Sequence, residues 1–187
     1  MTRTFLAIEV SEGVRSRAAE LIGCLRGETK VSWVAPANMH ITLKFLGDQS
    51  DEAVAAICQA VREGAASVDP FEFYCQGAGA FPDLQRPRTL WLGVTEGLDE
   101  FRKLHAAIDA SLARRRFPKD RQQFRPHLTI GRVRASGPQV RQLAEALHAY
   151  ENFDGGPTAV DEVLVFASEL APSGPTYEVL ARAPLGS

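Results

Sequence analysis

Asn38-Met39-His40-Ile41-Thr42-Leu43-Lys44-Phe45-Leu46-Gly47 has a counterpart in Phe124-Arg125-Pro126-His127-Leu128-Thr129-Ile130-Gly131-Arg132-Val133, with His40 and His127 lying 87 residues apart. Both stretches read as strands, rich in β-branched and apolar residues. Side chains alternate along a strand, so His40, Thr42 and Lys44 are expected on one face, with Ile41, Leu43 and Phe45 in the core. In the second stretch His127 and Thr129 share a face, with Leu128 and Ile130 behind. Each strand thus offers an imidazole and a hydroxyl about 7 Å apart. With four His and nine Thr in the chain, about 0.2 His-x-Thr triplets are expected by chance. Two at matching places point to a function for the pair.

Working outward, the same pattern runs twice. Thr4 to Val10 reads as a strand, and Ser11 as the N-cap of a helix carrying Val14, Ala18, Leu21, Ile22 and Leu25 at helical spacing, which Gly27 can end. A short segment, Val31 to Val34, precedes the strand His40 to Leu46, stopped by Gly47-Asp48. A helix follows from about Asp51, its stripe made of Val54, Ile57, Cys58 and Val61. Phe71 to Ala80 is a strand. Arg88 to Thr95 begins the pattern again, followed by a helix with Leu98, Phe101, Leu104, Ile108 and Leu112, the strand His127 to Val133, and a helix with Val140, Leu143, Ala144 and Leu147. Thr158 to Ser168 and Thr176 to Arg182 are the last strands. Phe5, Leu6 and Ile8 map onto Trp91, Leu92 and Val94 at an offset of 86, and His40 onto His127 at 87. The expected architecture is a single α+β domain over 1–187. Its two lobes are internal repeats, about 3–85 and 88–183, related by a pseudo-twofold axis.

Composition narrows the function. The 187 residues carry 21 Lys+Arg against 23 Asp+Glu, for a formal charge of −2. That argues against a coat for long nucleic acid duplexes, which needs a strongly basic surface. A small nucleotide or the end of a strand remains open. The positive charge is concentrated in Arg114, Arg115, Arg116, Lys119, Arg121, Arg125, Arg132 and Arg134, which reads equally as a solvated loop or a phosphate-collecting one. No apolar run approaches the ~20 residues of a membrane span, and Met1 to Val10 lacks the features of a signal peptide, so a cytoplasmic protein is expected. Cys24, Cys58 and Cys75 form no CxxC pair, and Cys24 and Cys58 are expected as small core side chains. No glycine-rich nucleotide loop, HExxH or EF-hand motif is present, so neither cofactor nor metal is expected.

If the pseudo-twofold axis passes between the two strands, both imidazoles converge on one cleft. Such a pair suits in-line displacement at phosphorus. One imidazole takes a proton from water while the other protonates the leaving oxygen. A pKa of ~6.5 makes both forms accessible near neutral pH. Thr42 and Thr129 can hydrogen-bond non-bridging phosphate oxygens as charge grows on them.

The paired His-x-Thr motifs resemble those of the two-histidine phosphoesterase superfamily, and within it the RNA 2′,3′-cyclic phosphodiesterases, historically called 2′-5′ RNA ligases. The likeness extends over RTFLAIEV, SWVAPANMHITLKFLG, GAGAFP, RPRTLWLGV, RPHLTIGRV and PTYEVL, and so over nearly the whole chain. It implies two antiparallel sheets facing a shared cleft, with helices outside. It also implies metal-independent hydrolysis of an RNA-terminal 2′,3′-cyclic phosphate to a 2′-phosphate, with His40 as proton donor, His127 as proton acceptor, and Thr42 and Thr129 beside them. The partners it implies are RNA ends or nucleoside 2′,3′-cyclic phosphates, met by a monomer away from membranes. Arg132 falls where the family often has a basic residue near the phosphate. Strand parity alone sets it opposite His127, unless Gly131 permits a bulge. Arg125 has the right parity. Phe45 is core by parity, although an aromatic residue here can stack on a base. Trp33 and Phe81 read as core, His105 as a helix-edge residue, and His148 as a helix C-terminal one. Ligation of tRNA halves through a 2′-5′ bond uses the same groups in reverse. A nucleotide- or RNA-binding module without turnover is the alternative from another class.

Overall fold

A computed structural model of the chain describes residues 1–27, 30–120, 123–134, 138–171 and 174–186. Its strands are β1 (Thr2–Glu9), β2 (Val31–Trp33), β3 (His40–Gln49), β4 (Phe71–Phe81), β5 (Thr89–Glu96), β6 (His127–Val133), β7 (Asp154–Val160), β8 (Glu162–Ala171) and β9 (Gly174–Pro184). The helices are α1 (Glu12–Leu25), α2 (Asp51–Ala65), α3 (Leu98–Arg114) and α4 (Pro138–His148). Ser11 and Ser50 cap α1 and α2, each hydroxyl accepting from an amide of the first turn, Val14 N and Ala53 N. That satisfies donors which a helix start leaves open.

The strands run in the order β7-β4-β5-β6-β3-β1-β8-β9, with β2 added beside β6. Every pairing is antiparallel. The two expected sheets are therefore the halves of one hydrogen-bonded sheet. Between β3 and β6, where the halves meet, the only register pair among the described residues is Ile41 with Leu128. One face is covered by the helices, and the main core lies there: Leu6, Ile8, Ile41, Leu43, Leu90, Leu92, Leu128 and Ile130 meet Val14, Leu21, Ile57, Phe101, Leu104 and Leu147. A second, smaller cluster of Phe5, Ala7, Leu164 and Phe166, with Tyr177 against it, occupies the opposite face. Helices α2 and α3 touch closely at Gly64, where a Cβ would lie 2.7 Å from Ile108 Cα.

Several expectations change locally. The run Thr158 to Ser168 is two strands, β7 and β8, separated at Asp161. Strand β3 continues past Gly47, which adopts φ +73°, to Gln49. Helix α1 ends at Leu25 with Arg26 in an extended conformation rather than through a left-handed Gly27. Cys24 is exposed and Cys58 half-buried, because the packed faces of their helices run through Leu21, Ile22 and Leu25 and through Ile57, Ala60 and Val61. Cys75 is buried, which pushes its thiol up to about 12. Among the described residues no helix is long and apolar enough to cross a membrane.

Candidate active site

The pairing of Ile41 with Leu128 sets the geometry of the site. Both side chains are fully buried on the helix face. Alternation then sends their neighbours His40, Thr42, His127 and Thr129, all half-buried, to the open face. Because the strands are antiparallel, extending this register by one residue each way sets His40 against Thr129 and Thr42 against His127. The structure thus brings all four onto one surface across two strands.

Each imidazole is anchored in the same way. His40 Nδ1 lies 2.8 Å from the Asn38 carbonyl oxygen, and His127 Nδ1 lies 2.7 Å from that of Arg125. A carbonyl only accepts, so Nδ1 carries a proton in both rings, and the neutral ring keeps its lone pair on Nε2. Neither Nε2 has a partner among the described residues. An aromatic ring stands edge-on to each imidazole: Tyr177 to His40 at 5.4 Å and 84°, and Phe81 to His127 at 4.9 Å and 88°. Burial is the largest influence on both rings and lowers each below the ordinary histidine value of 6.5. The carbonyl contacts act in the opposite sense. The positive charge of Arg132 lowers both further, and Glu9 raises His40 alone.

Beyond the threonines, simple alternation fails on both strands. Leu6 pairs with Lys44 and Ala7 with Thr42, which leaves Leu43 as an extra residue. Leu90 pairs with Gly131 and Trp91 with Thr129, which leaves Ile130 extra in the same way. Each bulge reverses the faces of the residues that follow. Lys44, expected beside His40, is only 4% exposed and turns to the helix face, where Nζ meets Asp109 Oδ1 at 2.6 Å and Asp120 Oδ1 at 2.9 Å. Phe45, expected in the core, is 65% exposed and lies on the open face, its ring 5.8 Å from that of Phe5. Arg132 reaches the open face through the bulge at Ile130, not at Gly131. Its guanidinium acts on His40, His127 and Tyr177 together.

Arg125 lines a cavity of about 360 Å³ beside His127, together with Phe81, Trp91, Arg102 and Phe124. Phe81 therefore belongs to the wall of the cleft rather than to the core. Trp33 packs half-buried against the main core. The rest of the basic stretch divides. Arg114 and Arg115 turn to Glu63 on α2, Arg134 is exposed at the end of β6, and Arg121 lies outside the described residues. His105 stacks on Phe124 at 4.5 Å and contacts Asp120 at 3.0 Å, and His148 pairs with Glu151 on the surface. Among the described residues no three His, Cys, Asp or Glu side chains are arranged to hold a metal.

Sequence reasoning missed Phe5, Phe166, Tyr177 and Glu9 around His40. Period-two alternation along β1 does carry a signal for two of them. Leu6 and Ile8 face the helices, so Phe5 and Glu9 face the cleft.

Comparisons with known proteins give the family and the fold. Residues 14–169 match the family model described as the 2′-5′ RNA ligase superfamily. The chain is 37% identical over 177 residues to an RNA 2′,3′-cyclic phosphodiesterase of Methanothermobacter thermautotrophicus, covering 94% of each protein. It is 36% identical over 180 residues to one of Thermotoga maritima, covering 95% of this chain and 92% of that one. A crystal structure of a Thermus thermophilus protein superposes with a TM-score of 0.82 at 27% identity, over 99% of this chain and 98% of that one. E. coli LigT complexed with 3′-AMP has the same fold, with a TM-score of 0.78 at 24% identity over 100% and 99% of the two chains. The chain belongs to the 2′-5′ RNA ligase superfamily.

Proposed function

We propose that the protein hydrolyses RNA-terminal 2′,3′-cyclic phosphates to 2′-phosphates by acid–base catalysis from His40 and His127. The observation that carries this reading is the arrangement around Ile41 and Leu128. Two imidazoles, each held at Nδ1 by a carbonyl, stand on one face of adjacent strands with Nε2 unengaged and one arginine acting on both. In the reaction His127 Nε2 accepts a proton from water as its oxygen bonds to phosphorus. The P–O3′ bond breaks in line, and protonated His40 gives its Nε2 proton to O3′. Thr42 and Thr129 donate to the non-bridging oxygens, and Arg132 balances their charge. His40 ends neutral and His127 protonated, and exchange with solvent resets them. Arg125 serves substrate binding from the neighbouring cavity.

The exposed ring of Phe45 offers a stacking platform for the terminal base. Stacking of this kind is worth about 1–3 kcal/mol. Phe45→Ala is expected to raise KM roughly tenfold or more while kcat changes little. A kcat loss at unchanged KM would remove Phe45 from the binding role.

The relatives named above as RNA 2′,3′-cyclic phosphodiesterases support the substrate class. The test is incubation with nucleoside 2′,3′-cyclic monophosphates in chelator, identifying which hydroxyl retains the phosphate. A 3′-phosphate product, or no product, would contradict the reading. Adding an RNA with a free 5′-hydroxyl end tests the ligation direction. Since burial lowers both histidines, both limbs of kcat/KM, which reports the free enzyme, are expected below the ordinary histidine value of ~6.5.

The reading treats residues 1–187 as one bilobal domain of two repeats, about 3–85 and 88–183. Support for the pseudo-twofold comes from the strand order, in which β6, β5, β4 and β7 run outward from the join as β3, β1, β8 and β9 do; the outer strands are exchanged, with β4 of the first repeat beside β5 and β8 and β9 of the second beside β1. The burial patterns of His40 to Phe45 and His127 to Arg132 also agree residue by residue. The ladders align Leu6 with Leu90 and Ile8 with Leu92, an offset of 84 rather than 86. The second copy takes two residues more to reach its helix, since Glu12 lies three residues beyond Glu9 and Leu98 five beyond the equivalent Gly93, the difference being the extension of β5 to Glu96. Both histidines come from one chain, so a monomer suffices. Free thiols at three cysteines suit the reducing cytoplasm.

A further inference from the structure

The two halves of the site differ at one cross-strand position. Glu9 on β1 is the register partner of His40, and Gly93 on β5 is the register partner of His127. Directly opposed residues on antiparallel strands project their side chains to the same face. A carboxylate therefore stands beside one imidazole, where the other has only backbone. The space at Gly93 is also restricted, since a Cβ there would lie 3.0 Å from the Gln76 carbonyl oxygen and 3.3 Å from the Trp91 ring. We propose that Glu9 is a positioning residue that breaks the near-symmetry of the site, holding the catalytic proton on His40 so that His40 is the acid and His127 the base in hydrolysis.

This inference rests on the two-histidine reading above and adds the reason for its direction. The groups facing His40 come from every neighbouring element. Glu9 is on β1, the Asn38 carbonyl precedes β3, Arg132 is on β6, and Tyr177 is on β9. The rings of Phe5 and Phe166 complete the surroundings at 5.1 and 6.2 Å. Arg132 acts on both histidines and so cannot distinguish them, and Tyr177 is held neutral by burial. Glu9 is the negative charge that acts on His40, and among the described residues no carboxylate acts correspondingly on His127. Arg15 Nη2 approaches Glu9 Oε1 at 3.5 Å from the side of α1 and moderates that charge.

The test is Glu9→Gln, read by the pH profile of kcat/KM and by NMR titration of both imidazoles. Removing the anion makes His40 lose its proton at lower pH. If His40 is the acid, the alkaline limb moves to lower pH and the bell narrows, with the loss of rate confined to its alkaline side. Arg15→Gln leaves Glu9 uncompensated and is expected to move the same limb to higher pH. Glu9→Asp should stay close to the parent profile. Movement of the acidic limb instead, or of neither limb, in Glu9→Gln would overturn the proposal. The two-histidine reading would survive that result, because it is tested separately, by the product formed from a cyclic phosphate and by the activity of His40→Ala and His127→Ala.

Discussion

His127→Ala and His40→Ala are each expected to lower kcat/KM for a 2′,3′-cyclic phosphate by about 10²–10⁴-fold, the usual contribution of a positioned acid or base. Both rings are half-buried on the open face, outside the main core, and each is hydrogen-bonded to a local carbonyl, so unfolding transitions should change little in either variant. The variants are distinguished by the leaving group. A phosphodiester that expels p-nitrophenolate needs no proton on its leaving oxygen. His40→Ala should recover much of its rate on such a substrate, whereas His127→Ala should not, because water still needs a base. An unimpaired rate in either variant on the cyclic phosphate would dismiss the acid–base pair.

The largest expected loss of stability lies on the other face of the same strand. Lys44 is almost fully buried, with Asp109 and Asp120 at its ammonium and His105 joined to the far oxygen of Asp120. The group ties β3 to α3 and to the segment leading into β6. Removing one partner of a buried ion pair typically costs about 3–5 kcal/mol, because the remaining charge is left without compensation. Asp120 is more open to solvent than Asp109. Lys44→Ala is therefore expected at the lower end of that range, about 3 kcal/mol, read as a lower urea midpoint. Lys44→Met combined with Asp109→Asn restores packing and removes the more buried of the two orphaned charges, and should recover part of the loss. A change below about 1 kcal/mol in Lys44→Ala, the scale of an exposed pair, would mean that the carboxylates find solvent without it.

Much of this site was legible in two strands. Alternation around Ile41 and Leu128 was enough to set His40 with Thr42 and His127 with Thr129 on an outward surface. It failed at Lys44 and Phe45, because a bulge depends on the partner strand: nothing local to Leu43 signals that β1 skips it. Arg132 follows the same logic, through Ile130 rather than through the neighbouring glycine, whose freedom made it the natural candidate for a bulge. The division of Thr158 to Ser168 was hidden because Asp161 interrupts an otherwise strand-like composition. Alternation along β1 could place Glu9 on the cleft face but not beside His40. Its relevance lies entirely in standing across from His40, a relation between residues 31 positions apart.

The join between the halves has a consequence for which residues guard the chemistry. A slip of one position where β3 meets β6 would swing the imidazole of the slipped strand toward the helices and leave the other alone in the cleft, since neighbouring side chains on a strand point to opposite sides. Ile41 and Leu128 contribute nothing to proton transfer, yet their insertion beneath the cleft locks the phase of both strands. Fidelity of the reaction is in this sense delegated to two hydrocarbon side chains that the RNA never meets.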